Sequence, residues 1–136
     1  MIIAMTNILI VEDEFLIAME MEAVVCDLGY RCAGVADDMK SAMEIAEKEL
    51  DVALVDVNLA DGATGPDIGA RLANEFKVEV VFVTANPAQL GDGISGTLGA
   101  VEKPVDLAML KDVLAYVLAV RQGKDTEPPA EMVLFE

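Results

Sequence analysis

Asn7 to Glu14 reads NILIVEDE. A short apolar run ends abruptly in three acidic residues, and the same arrangement recurs along the chain. Asp51 to Asn58 reads DVALVDVN, Val78 to Thr84 reads VEVVFVT, and Thr97 to Pro104 reads TLGAVEKP. These runs are continuous rather than alternating, as expected for strands buried on both faces. Tyr30 to Ala36 supplies one more. Between them lie segments of helical period. From Phe15 to Leu28 the apolar residues Ile17, Met21, Val24, Val25 and Leu28 share a face, and Gly29 stops the helix. Asp13 is placed to cap it. Asp37 and Asp38 precede a second helix with the stripe Ala42, Met43, Ile45, Ala46 and Leu50. Pro66 suits the first turn of a third, through about Phe76. Asp106 to about Arg121 forms the last, with Leu110, Val113, Leu114 and Val117 on one face. Strand and helix alternate five times, which predicts an α/β fold: a doubly wound, five-stranded parallel sheet with right-handed crossovers. Pro87 to Gly99 is the weak point. It contains Gly91, Gly93, Gly96 and Gly99, and each interior Gly costs a helix ~1 kcal/mol relative to Ala. The fourth helix is therefore expected to be short, frayed or absent.

The chain has 136 residues, one domain's worth, and is 54% hydrophobic, so it can build a core. Its 25 acidic residues face 9 basic ones, for a net charge of -16. That field disfavours nucleic acid, which needs clustered Lys and Arg, and anionic membrane surfaces. It favours basic partner surfaces and divalent cations. No apolar run approaches the ~20 residues of a spanning helix, and Met1 to Met5 lacks the basic and apolar regions of a signal peptide. A cytoplasmic setting is expected, with Cys26 and Cys32 as reduced packing thiols. The absence of His removes His-dependent triads and most zinc sites.

In doubly wound sheets ligands bind beyond the carboxyl ends of the strands. There the sequence places Glu12 and Asp13 after strand one, Asp56 and Asn58 after strand three, Thr84 at the end of strand four, and Lys103-Pro104 after strand five. Three carboxylates converge with one hydroxyl and one ammonium. Carboxylates so close are costly to ionise without a counter-ion. Mg²⁺, or Mn²⁺, answers that need, taking one or two carboxylates and a backbone carbonyl. Lys103 adds a charge able to hold a phosphoryl oxygen, and Thr84 a hydrogen bond. An Asp without an activating base attacks phosphorus only if the donor is already reactive.

With these residues in place, the sequence resembles the receiver domain of two-component response regulators. The resemblance is carried by ILIVEDE (Ile8 to Glu14), ALVDVNLADG (Ala53 to Gly62), VVFVTAN (Val80 to Asn86) and EKPVD (Glu102 to Asp106). It implies a flavodoxin/CheY-like (βα)5 fold over residues 7–121. It implies that Asp56 accepts a phosphoryl group from a phosphohistidine on a sensor histidine kinase or histidine phosphotransferase. Asp13, Asp56 and the Asn58 backbone carbonyl would bind Mg²⁺, with Glu12 acting through water. Lys103 would contact the phosphoryl group, Thr84 would move toward it, and the Lys103-Pro104 bond would be cis. VEDEFLIAMEME, DVNLADGATG and FVTANPAQL look like the receivers of alphaproteobacterial general-stress regulators. Those often carry a sigma-like domain ahead of the receiver, which is not expected in the few residues before strand one here. Most receivers place Tyr or Phe three residues before the Lys; Ala100 stands there, so an aromatic switch is not expected. Ordering of Pro87 to Gly99 on phosphorylation would replace it.

The rivals are an interaction-only pseudo-receiver, which the complete Glu12, Asp13, Asp56, Thr84 and Lys103 set argues against, and a small phosphatase or phosphotransferase. The latter would be favoured by a second carboxylate two residues after Asp56, but Asn58 stands there. A flavin-binding domain would need a phosphate-cradling loop where Glu12-Asp13-Glu14 stands. Gly91 to Gly96 matches GxGxxG, but far from a first strand, and is accidental. Residues 122–136 are expected to be a flexible tail, too short for a DNA-binding output domain. Their apolar end, Met132 to Phe135, is able to dock on its own domain or on a partner, such as a downstream regulatory protein.

Overall fold

The computed structural model describes residues 5–135. Strands β1 (Asn7–Val11), β2 (Arg31–Ala36), β3 (Val52–Val55), β4 (Glu79–Thr84) and β5 (Gly99–Glu102) pair in parallel. Helices α1 (Phe15–Asp27), α2 (Met39–Ala46), α3 (Gly65–Phe76) and α4 (Leu107–Arg121) cover them. The sheet has six strands rather than five, in the order β2-β1-β3-β4-β5-β6. The sixth, β6 (Met132–Leu134), runs antiparallel to β5. It comes from the segment expected to be a flexible tail, whose apolar end docks on its own domain. Three residues are too short to show a strand period, so no strand signal is readable there.

Two cores follow from the alternation of side chains along buried strands. Leu9, Val55, Val80 and Phe82 face Ile68 and Leu72 of α3 and the Ala42 and Ala46 side of α2. Ile8, Ile10, Leu54 and Val81 face Val25 of α1 and Val113, Leu114 and Val117 of α4. The register Ile10↔Leu54, Leu54↔Val81, Val81↔Gly99 aligns the carboxyl ends of the inner strands at one edge. Whatever follows each strand is delivered there.

Local sequence sets the helix ends. Asp38 caps α2 by accepting from the Ser41 N–H at 2.8 Å, and Ser41 Oγ reaches back in a capping box. Asp106 caps α4 through the Met109 N–H at 2.8 Å. Pro66 stands in the first turn of α3. Asp13 does not cap α1, contrary to expectation. The cap position is Glu14, without a side-chain cap bond, and Asp13 is exposed. Between β4 and β5 there is no α-helix, only a 3₁₀ turn over Pro87–Leu90. The rest of that segment is nevertheless pinned. The Leu98 N–H donates to Val80 O at 2.9 Å, Thr97 Oγ1 to Ile94 O at 2.6 Å, and Asn74 Nδ2 to Ser95 O at 3.0 Å. These bonds give the segment a definite arrangement in this structure. The Lys103-Pro104 bond is cis.

Among the described residues no helix is long and apolar enough to cross a membrane. Cys26 is exposed, while burial pushes the Cys32 thiol up to about 11.

Gly69 tests the α3 packing. On helix propensity alone Gly→Ala gains about 0.5–1 kcal/mol, but a Cβ here would run into the Phe82 ring. Overpacking of a tight core costs about 1–3 kcal/mol. Gly69→Ala is therefore expected to lower stability by about 1 kcal/mol in urea titration, opposite in sign to the propensity rule.

Candidate functional site

The aligned strand ends bring Glu12, Asp56, Thr84 and Lys103 together, with Asp13 beside them. Lys103 Nζ lies 2.6 Å from Glu12 Oε1 and 3.0 Å from Asp56 Oδ2. The remaining oxygens are also engaged. Glu12 Oε2 accepts from the Glu14 N–H at 3.2 Å, and Asp56 Oδ1 from the Val57 N–H at 2.7 Å. Glu12 and Asp56 are buried, at 2% and 8% exposure. Asp13 faces solvent, yet offers an oxygen within 4.8 Å of oxygens of the other two. Lys103 gets there because β5 pairs with β4 up to Glu102↔Thr84, and the Lys103 N–H donates to Thr84 O at 2.8 Å.

Three neighbours, Gly65, Asn86 and Gln89, were not legible as site residues. Gly65 packs against the backbone of Asp56, where a Cβ would strike the Asp56 carbonyl oxygen; its only sequence signal is its place before Pro66. Asn86 donates its N–H to Thr84 Oγ1 at 3.2 Å. Asn58 Nδ2 donates to Gln89 Oε1 at 3.4 Å, linking the β3 loop to the 3₁₀ turn. Ala100, where an aromatic was looked for, is fully buried opposite Phe82.

Residues 8–115 match the response regulator receiver domain family. The chain belongs to that family. It is 38% identical over 121 residues to the phyllosphere-induced regulator PhyR of Methylorubrum extorquens, a match covering 87% of this chain and 45% of that protein. The chain thus spans about half the length of the curated relatives it matches. The receiver domain of Erythrobacter litoralis PhyR superposes with a TM-score of 0.73 at 33% identity, covering 93% of this chain and 97% of that one. The receiver domain of sensor histidine kinase PA1611 from Pseudomonas aeruginosa superposes with a TM-score of 0.68 at 27% identity, covering 85% and 99%. That receiver holds a magnesium ion coordinated in its active-site cleft.

The donor set of this receiver fits such an ion. Three carboxylates within reach of one another form an all-oxygen cluster, the chemistry Mg²⁺ prefers, and one of them is open to solvent. The electrostatics also show that Lys103 does not satisfy the cluster. Burial raises Glu12 above the usual carboxylate range despite its bond to Lys103, with the Asp56 charge adding to the rise. Lys103 responds differently. Burial pulls it down, but hydrogen bonds to Glu12 and Asp56, and their charges, outweigh that and raise it. One ammonium is stabilised by two carboxylates, while a carboxylate sharing that ammonium still lacks positive charge.

Removing Lys103 leaves buried carboxylates facing each other. Lys103→Met is expected to destabilise the metal-free receiver by about 3 kcal/mol at pH 7. Because the folded value of Lys103 lies above its ordinary 10.5, the contribution is fully present below that pH and lost as pH rises through the folded value. The wild-type minus variant difference in denaturation free energy should be flat between about pH 7 and about pH 10 and fall beyond it. A difference already falling between pH 7 and 9 contradicts the assignment.

Proposed function

We propose that this receiver accepts a phosphoryl group on Asp56 from a partner's phosphohistidine in a Mg²⁺-dependent reaction. The observation that carries the reading is the Asp56 carboxylate, held at the sheet edge between Lys103 Nζ at 3.0 Å and the Val57 N–H at 2.7 Å. The attacking group is a carboxylate, which needs no base to activate it. An Asp56 oxygen forms the new P–O bond as the P–N bond to the partner's histidine breaks, and the imidazole leaves with the electron pair. Attack of water on the acyl phosphate later returns inorganic phosphate and free Asp56. The chain is then a phospho-acceptor rather than a turnover enzyme on metabolites, in line with Asn58 two residues on from Asp56.

The other roles follow from position. Asp13, Asp56 and the Asn58 backbone carbonyl would hold Mg²⁺, with Glu12 acting through water. The ion would screen the carboxylates and the incoming phosphoryl oxygens. Lys103, already bridging toward Asp56, would hold one phosphoryl oxygen. Thr84 Oγ1 accepts from the Asn86 N–H, so its own hydrogen is left to donate to another phosphoryl oxygen.

The surface beside the pocket suits a protein partner. α1 and α4 both start at the site, and Phe15, Leu16, Met19 and Leu107 on their opening turns are exposed. A groove of about 430 Å³ between them is lined by Met21, Val24, Val83, Pro104 and Leu110, with Lys103 at its edge. This apolar collar is read as the dock for the helices of a sensor histidine kinase or histidine phosphotransferase. The likeness to PhyR supports a place in general-stress signalling, with output through altered protein contacts, as a phosphate sink or a relay step.

Purified chain incubated with acetyl phosphate and Mg²⁺ is expected to gain one phosphoryl group by intact mass, lost with EDTA and in Asp56→Asn. Labelling that survives in Asp56→Asn refutes the acceptor assignment. Asp13→Asn should weaken Mg²⁺ binding about tenfold or more, read by calorimetry since the chain has no Trp. An unchanged titration removes Asp13 from the ligand set. Lys103→Ala should keep the metal and lose the phosphoryl response.

A further inference from the structure

The C-terminal strand reaches further into the domain than an edge cover needs to. Beyond β6, the Phe135 N–H donates to Leu98 O at 2.9 Å, and its ring centroid lies 6.3 Å from that of Phe82. Phe82 faces Ala100 in register, and all three belong to one apolar cluster. An aromatic ring delivered by the tail thus packs against the cluster in which β5 carries only Ala100. The loop between the 3₁₀ turn and β5 is laid over this ring. Gly93 has φ +119°, and a Cβ there would come within 2.6 Å of Phe135 Cγ; Ile94 joins the same cluster.

The other end of that loop touches the pocket. Gly93 donates to Leu90 O, and Leu90 is buried. One residue earlier in the 3₁₀ turn, Gln89 accepts from Asn58, and at its cap Asn86 donates to Thr84. A continuous set of contacts therefore runs from Phe135 through the loop to two residues flanking Asp56. β6 is three residues long and is tethered by residues 122–131, which are almost all exposed, so docking and release of the strand is a low-cost local equilibrium.

We propose that Phe135 is a positioning residue of the Asp56 pocket: it fixes the Gly91–Leu98 loop, and through it the Asn86 and Gln89 contacts to Thr84 and Asn58, so that filling the pocket and docking β6 favour each other. This rests on Asp56 as the phosphoryl acceptor. Coupling between two sites is reciprocal, so each end reports on the other.

Amide hydrogen exchange on the full chain with Mg²⁺, with and without beryllofluoride as the phosphoryl mimic, reads the coupling without any variant. Exchange at residues 133–135 is expected to slow by about fivefold or more when the mimic binds. Phe135→Ala should weaken beryllofluoride binding by a similar factor, and Phe135→Tyr, which keeps the ring, should restore it. Bound mimic with unchanged exchange at 133–135 overturns the proposal, and so does an unchanged affinity in Phe135→Ala. A wild-type chain that takes up no beryllofluoride overturns the acceptor reading itself, and the coupling falls with it.

Discussion

The structure turns on one shortage of positive charge. Glu12 and Asp56 are buried at the same sheet edge with Asp13 beside them, and the ammonium bonded to both buried carboxylates is Lys103. At 3.0 Å and an effective dielectric constant near 20, the Lys103–Asp56 attraction is about 5 kcal/mol. Desolvation costs several kcal/mol for each ion, so a single ammonium shared between two carboxylates roughly breaks even. The upward shift of Glu12 is the residue of that balance. A site left short of positive charge is a site ready to take a cation and then an anion. The overall charge of -16 deepens the shortage rather than relieving it.

Much of the backbone serves to bring that ammonium across the chain. Lys103 is 91 residues from Glu12 and 47 from Asp56, so no local motif could set these distances. They come from the parallel register, in which Val11 pairs with Val55, Val55 with Phe82 and Phe82 with Ala100. A one-residue slip would turn each strand's side chains to the other face and mismatch the close-packed side chains of both layers. Gly65 adds a second constraint, since α3 can begin where it does only if nothing projects toward the Asp56 carbonyl.

This explains what the sequence revealed and what it hid. Continuous apolar runs ending in polar residues are a signal of parallel strands, so five strands, four helices and all the residues of the carboxylate–ammonium cluster could be placed beforehand. The four glycines from Gly91 to Gly99 likewise gave away the missing helix. Asp13 was read both as a cap, because Asp before a helical run usually is one, and as a metal ligand; which of the two its oxygens serve depends on tertiary position. β6 was hidden because Met132–Leu134 follows Pro128-Pro129 in a polar stretch and has a partner only once β5 exists. Gln89 and Asn86 were hidden for the same reason: their roles are contacts made by a turn, not a composition.

The tail strand also bears on how a receiver with Ala100 can respond at all. A small residue on β5 removes a side chain able to report the state of Thr84 from within the sheet. Yet the cluster is not left with a hole, because Phe135 fills the space from outside, on a strand whose tether is solvent-exposed. Moving the aromatic from the sheet to the chain terminus changes what a response looks like. A ring rotating on β5 alters a surface in place, whereas a ring arriving with β6 is coupled to the edge of the sheet itself. Undocking would expose both an apolar segment and the unpaired edge of β5, two features that bind other chains readily. Docking hides both. In this receiver the state of Asp56 would therefore be read less in the shape of one face than in whether that edge is closed.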